Sequence, residues 1–179
     1  NDILVSADII EEILVAAEAN KEDFSMEIER IDMIELAQRV ASKVKLMIGK
    51  RKIKMITYLP KQKNLIANGN RRYIEFAIYE LLENAVSYTE KGYVSIGLGI
   101  ENGACVVRIA DSGIGIPPGS VRKIFNKFFR ARNAQAHKDG MGLGLYLVKK
   151  IIDSHPGASI KVESSSAKKG TVFAIRLPI

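Results

Sequence analysis

Three glycines at alternate positions, Gly140, Gly142 and Gly144, restrict this chain more than any other feature. Apolar residues at helical spacing follow at once: Leu145, Leu147, Val148, Ile151 and Ile152. Glycine permits positive φ and lets backbone approach a ligand closely. A loop of this kind running straight into a helix leaves unpaired N–H groups at the positive end of the helix dipole. That junction suits anions, phosphate above all. No Gly-Lys-Ser/Thr follows, so this is not a Walker loop. The third glycine comes one residue too early for a dinucleotide fingerprint, and no strand leads directly into it. A flexible loop before an ordinary helix would give the same pattern, so the rest of the chain must decide.

The 179 residues suit one domain with an appendage, and an apolar share of 47% supplies a proper core. No apolar run approaches the ~20 residues that span a bilayer, and no signal peptide is visible. The single cysteine, Cys105, stands among apolar neighbours and reads as a small buried side chain. The net charge is +7, but Lys and Arg are spread out, with only Lys50-Arg51-Lys52 clustered. No motif interleaves aromatic and basic residues, so nucleic acid is not expected as a partner.

Residues 1–23 read as a helix with the stripe Ile3, Ile9, Ile10, Ile13 and Leu14, starting as though cut from something longer. A short strand is expected over Phe24–Ile31. Asp32 should cap a helix carrying Leu36, Ala37, Val40, Val44 and Met47. Lys52–Tyr58 and Asn64–Ala67 read as strands, and Asn68-Gly69-Asn70 as turn and cap. A strong helix runs from Arg71 to about Tyr88. Tyr93–Ile100 and Ala104–Ala110 form a hairpin through Glu101-Asn102-Gly103. Residues 112–139 are loop-like apart from a short helix near Val121–Lys127. A helix over 143–154 and strands at Ser159–Glu163 and Thr171–Leu177, turning at Lys168-Lys169-Gly170, close the chain. The sum is an α+β, two-layer α/β sandwich: a mixed, largely antiparallel sheet with three helices on one face and an N-terminal helix.

Two places carry chemistry. On the helix at 71–88, Ile74, Ile78, Leu81, Leu82 and Ala85 share an apolar face, and Glu80, Asn84 and Ser87 lie together at its edge. Asn is a poor helix former. An amide oxygen there can ligate Mg²⁺. A carboxylate one turn earlier can orient or deprotonate a nucleophile. The second is Asp111-Ser112-Gly113-Ile114-Gly115, an acceptor-only carboxylate ending an apolar strand beside two glycines. It reads as a turn, or as a site for an adenine amine. Guanine presents a carbonyl at that position, so the site would prefer ATP.

Four boxes in order now carry a resemblance: Glu80-Leu81-Leu82-Glu83-Asn84-Ala85, Asp111-Ser112-Gly113-Ile114-Gly115, Ile124-Phe125-Asn126-Lys127-Phe128-Phe129-Arg130, and Gly140-Met141-Gly142-Leu143-Gly144-Leu145. Together they resemble the ATP-binding catalytic domain of bacterial sensor histidine kinases, of the superfamily shared with gyrase, Hsp90 and MutL. Gly170-Thr171-Val172-Phe173 resembles the family's closing strand. The resemblance implies a Bergerat-type fold over residues 24–179, with 1–23 as the end of the second helix of a dimerisation and phosphoacceptor hairpin. It also implies Mg²⁺ on Asn84, the adenine amine on Asp111, and a pocket shaped by Gly113, Ile114, Gly115, Tyr88 and Thr171. Phosphates would lie on Gly140, Met141, Gly142, Leu143, Gly144 and Leu145. Residues 117–139 would be the ATP lid, with Phe125, Phe128 and Phe129 as lid packing. Phe129, Ser87, Lys127 and Arg130 are carried over as nucleotide contacts, the last two toward the γ-phosphate.

Three departures follow. Glu80 stands where these kinases commonly have Asn, Ser87 where a Lys is common, and no phosphoacceptor box is present. His137 falls in the lid, and His155 matches the family's helix-ending segment. The expected function is therefore Mg-ATP-dependent transfer to a histidine on a hairpin absent from this chain. The implied partners are that hairpin and a response-regulator receiver domain. The implied setting is a cytoplasmic domain of a membrane-associated sensor, homodimeric at full length, with a monomer allowed for the isolated fragment. A switch ATPase, a serine kinase of the anti-sigma type and a degenerate nucleotide-binding scaffold are the alternatives.

Overall fold

The computed structural model describes residues 14, 15, 17, 18, 26–134, 141–166 and 169–179. Strands β1 (Glu29–Asp32), β2 (Lys52–Tyr58), β3 (Ile66–Gly69), β4 (Lys91–Glu101), β5 (Ala104–Asp111), β6 (Ser159–Ser166) and β7 (Gly170–Pro178) alternate with helices α1 (Met33–Ile48), α2 (Arg71–Ser87) and α3 (Gly144–Asp153). Five strands form one sheet in the order β2-β4-β5-β7-β6, and β1 and β3 form a separate antiparallel pair. Only β2 and β4 run parallel in the large sheet. A parallel pair needs a crossover, and α2 supplies it. The remaining neighbours are antiparallel, with β4 and β5 joined as the expected hairpin.

Local chemistry explains where the helices start. The Asp32 carboxylate accepts from the Ile34 N–H at 3.0 Å, and the Asn70 amide oxygen accepts from the Tyr73 N–H at 3.2 Å. Each satisfies a donor that a helix start leaves unpaired. The stripe of α1 is buried at Leu36, Ala37, Val40 and Val44, and that of α2 at Ile74, Ile78, Leu81 and Leu82. They close on Val94, Ile96, Val107, Ile109 and Ile175 from the sheet. One face of the sheet is thus covered by three helices, as expected.

His155 ties two helices together. Its Nδ1–H donates to the Ile151 carbonyl at 2.8 Å, and its Nε2 accepts from the Asn70 N–H at 3.0 Å. The second contact needs a lone pair on Nε2, which fixes the neutral tautomer. Burial holds this imidazole below its ordinary pKa. Burial also pushes the Cys105 thiol up to about 12, in keeping with a core side chain.

Several expectations are corrected. The short helix near Val121–Lys127 is a run of turns after a 3-10 turn at Pro118–Ser120. Its bonds run mostly to the third residue back, Lys123 N–H to Ser120 O and Asn126 N–H to Lys123 O. Phe128 does not pack: it is 63% exposed with φ +63°. At the N-terminus Leu14, Val15, Ala17 and Glu18 are helical, but Leu14 is half exposed and Val15 is the buried side chain. Val15 meets Tyr73, Phe76, Leu147 and Ile151. Glu18 bonds the Tyr73 hydroxyl at 2.8 Å and pairs with Arg72. The rest of the expected N-terminal stripe, the start of the strand at Phe24, and His137, Gly140 and Lys168 lie outside the described residues.

Candidate functional site

A cavity of about 1080 Å³ opens between the C-terminal half of α2, the ends of β5 and β7, the start of α3 and the C-terminal turn of α1. Its floor is Asp111, the last residue of β5, 8% exposed. The Gly113 N–H donates to Asp111 Oδ1 at 2.7 Å, and the Thr171 backbone N–H also bonds this carboxylate. Burial raises its pKa to about 6, against the opposing pull of those two donors. Desolvation outweighs hydrogen bonding here, so the carboxyl stays poised to accept a donor that restores its solvation.

Backbone packing leaves no freedom around that floor. A Cβ at Gly113 would lie 2.1 Å from the Tyr88 carbonyl, and one at Gly170 would lie 1.8 Å from the Asp111 carbonyl. Gly170 also has φ +87°. The Ile114 N–H bonds the same Tyr88 carbonyl at 3.1 Å, so the loop after β5 is moored on the cap of α2. Thr171, 5% exposed, shares a hydroxyl contact of 3.0 Å with Ser165, whose oxygen accepts from the Ile116 N–H at 2.7 Å.

The opposite wall is the start of α3. Among the described residues no side chain caps this helix: Leu143 occupies the cap position, and the first amides follow it at the cavity wall. Uncapped amides are an anion site. Gly144 sits where a Cβ would fall 2.4 Å from Glu80 Oε2, so the Glu80 carboxylate lies against the glycine loop. Asn84 lines the cavity one turn further along α2.

The fold therefore brings Glu80, Asn84, Tyr88, Asp111, Ile114, Gly115, Phe129, Arg130, Met141, Gly142, Leu143, Gly144, Leu145 and Thr171 to one cavity. Three expected contacts stand off its wall. Ser87 bonds Glu83 Oε1 at 3.4 Å, Gly113 shapes the floor from behind, and Lys127 lies 5.2 Å from the Phe128 ring centre and 5.9 Å from that of Tyr146. Phe125 packs edge-on against Phe173 at 6.3 Å, as lid packing requires. Sequence reading missed the α1 side: Lys43, Leu46, Met47, Lys50 and Arg51 also line the cavity. Arg51 is anchored there by its bond to the Thr89 carbonyl at 3.1 Å. The Lys50-Arg51-Lys52 cluster was the available signal, but nothing local tied it to the glycines. Asn133 and Ala134 of the lid were likewise missed.

Comparison with known proteins shows the family. Residues 69–179 match the model of the histidine kinase-, DNA gyrase B- and HSP90-like ATPases. Sensor protein RprX of Bacteroides fragilis is 30% identical over 174 residues, covering 95% of this chain and 33% of its own length. Sensor histidine kinase YkoH of Bacillus subtilis is 30% identical over 164 residues, covering 91% and 35%. The chain thus spans about a third of these relatives. The solved catalytic domain of histidine kinase ThkA superposes with a TM-score of 0.73 at 29% identity, covering 86% of this chain and 98% of that one.

Proposed function

The chain belongs to the family of histidine kinase-, DNA gyrase B- and HSP90-like ATPases, and from that premise we propose that it binds Mg-ATP and passes the γ-phosphoryl group to a histidine on a dimerisation hairpin of a longer sensor protein. The observation that carries this reading is the meeting, in one cavity, of a buried Asp111, an Asn84 on α2 and the uncapped start of α3.

Each group has a task. Asp111 accepts the exocyclic amine of adenine, which selects ATP over GTP. The α3 amides and the glycines beside them receive phosphate oxygens. Arg130, on the lid wall, adds fixed positive charge where the transferred group spreads its own. Asn84 would hold Mg²⁺ through its side-chain oxygen, the kind of ligand this ion prefers. The metal, when bound, neutralises charge between the phosphates. In the transfer itself an imidazole nitrogen attacks the γ-phosphorus. The bond to the β–γ bridging oxygen breaks, ADP leaves, and the imidazole proton must be accepted. Glu80, which lines the cavity, is the carboxylate we assign to take that proton.

Glu80 also favours a second reading, because a carboxylate at that position can activate water and make the chain a switch ATPase. The residues upstream would supply the hairpin, a membrane-associated sensor and a homodimer, with a receiver domain as the next acceptor. No described helix is long and apolar enough to cross a membrane. Incubation with γ-labelled ATP, with and without the hairpin, separates the readings. Base-stable, acid-labile label on the hairpin is expected. Rapid release of inorganic phosphate without labelled hairpin would favour the ATPase.

A further inference from the structure

The hydroxyl of Ser165, on the edge strand β6, joins three parts of the floor. The Ile116 N–H donates to its Oγ at 2.7 Å, the Thr171 hydroxyl lies 3.0 Å from it, and it reaches the Gly170 carbonyl at 3.4 Å. A register shift between Val162 and Ser164 sets Ser165 opposite Thr171 on β7. A hydroxyl has one proton and two lone pairs. Ile116 occupies one lone pair, and Thr171 and Gly170 share what remains. The Ser165 hydroxyl is therefore fully engaged by the protein, and Ser165 lies outside the cavity lining.

Each partner bears on the base site. Ile116 carries the last amide before Pro117 and Pro118, which have none, and the lid starts there. Gly170 packs on the Asp111 backbone so closely that a Cβ would lie 1.8 Å from its carbonyl. Thr171 gives its own N–H to the Asp111 carboxylate. The lid's tie from Asn133 lands one residue before Ile116, on the Gly115 carbonyl. Ser165 thus stands at the boundary between lid and floor. We propose that Ser165 is a positioning residue for base binding: its hydroxyl fastens the root of the lid at Ile116 to Gly170 and Thr171, so that Asp111 keeps its place while the lid beyond Pro117 opens and closes. It acts through Thr171 and Asp111 and touches no ligand. This rests on the ATP reading above and names what keeps its floor assembled.

Calorimetric titration of adenosine and ATP into the parent, Ser165→Ala and Ser164→Ala tests it. One neutral hydrogen bond corresponds to about three- to tenfold in affinity. Ser165→Ala should lose that factor for adenosine and ATP alike, because the loss is at the base. In transfer to the hairpin, KM for ATP should rise by the same factor with kcat unchanged. Ser164, the exposed neighbour on the same strand, should be replaceable without effect. Adenosine affinity unchanged in Ser165→Ala overturns the proposal even if the variant unfolds more easily, since the hydroxyl would then support only the strand. A fall in kcat with KM unchanged also overturns it. The parent alone gives a further test by hydrogen exchange resolved to single amides. The Ile116 amide should exchange as slowly as that of Thr171, with or without ATP, and an Ile116 amide that follows residues 118–134 overturns the proposal. ATP binding that ignores Ser165→Ala leaves the ATP reading standing, whereas no binding of ATP to the parent removes both.

Discussion

The floor and the lid of this cavity are built on opposite principles. At the floor, Asp111, Gly113 and Thr171 are locked by backbone bonds and by contacts that admit no side chain at positions 113 and 170. On the lid side, from Pro117 to Ala134, short turns are joined to the rest by a few ties, the Phe128 N–H on the Gly142 carbonyl, Phe125 on Phe173 and Asn133 on the Gly115 carbonyl, while Phe128 stands exposed and the Asn133 oxygen has no partner among the described residues. On the proposed reading, base recognition would be set before ligand arrives, whereas the lid side is held less tightly. A rigid floor gives selectivity, and an incomplete lid lets nucleotide enter and leave.

That contrast can be broken most severely from the phosphoryl side. Asn84→Ala removes the oxygen proposed for the metal. Transfer to the hairpin, followed with γ-labelled ATP, should fall by roughly a hundredfold or more, as for other groups acting on developing charge. Adenosine carries no phosphate, so its affinity should be unchanged. Loss of adenosine binding in this variant would mean that Asn84 supports the floor instead.

At the floor, Gly170→Ala should lower unfolding stability by roughly 2–4 kcal/mol, since a Cβ there meets the Asp111 carbonyl at a φ of +87°. Chemical denaturation checks it. The same substitution at Gly119, whose Cβ would meet nothing within 4 Å, should cost little. Equal losses at both positions would erase the distinction between floor and lid.

The two regions also differed in how far sequence could disclose them. The floor was legible because its signal is local: Asp111 ends an apolar strand and its glycines follow within four residues. The caps at Asp32 and Asn70 were legible for the same reason. The α1 wall was not, because Lys43 and Arg51 reach the cavity only through packing of α1 on α2. Pairing of β1 with β3 was hidden likewise, as partners far apart in sequence leave no periodic trace. In the lid, the resemblance implied a packing role for Phe128, yet with a positive φ it stands exposed. Asn133 looks like any polar loop residue until Gly115 is placed beside it.

The pH response of the floor follows from Asp111. Its carboxyl, raised to about 6 by burial, keeps its proton in the folded chain over a range where the unfolded chain has lost it. Its contribution to stability is full below about pH 4 and is lost as pH rises through about 6. Base binding runs the other way, because the carboxylate is the better acceptor. Adenosine affinity should rise between pH 5 and 7, and Asp111→Asn should flatten the rise. A rise unchanged in that variant would assign the titration elsewhere. His155 titrates below its ordinary range as well, but it sits between α2 and α3, away from the floor.

The mildest expected effect is on motion. Amides of residues 118–134 should exchange faster than those of β5 and β7 without nucleotide and slow on ATP binding, while β5 and β7 change little. Hydrogen exchange by mass spectrometry reads this directly. Equal protection in both segments would remove the basis of the contrast.

The central claim is that Asp111 reads an adenine base in a preformed floor, and one calorimetric experiment reaches it: ATP and GTP titrated into the parent chain and into Asp111→Asn. A charge-assisted hydrogen bond is worth roughly 1.5–3 kcal/mol, or about ten- to a hundredfold in affinity. The parent should bind ATP at least that much more tightly than GTP, and Asp111→Asn should lose most of the advantage. Equal affinity for the two nucleotides in the parent, or an ATP affinity untouched by the substitution, would contradict the account.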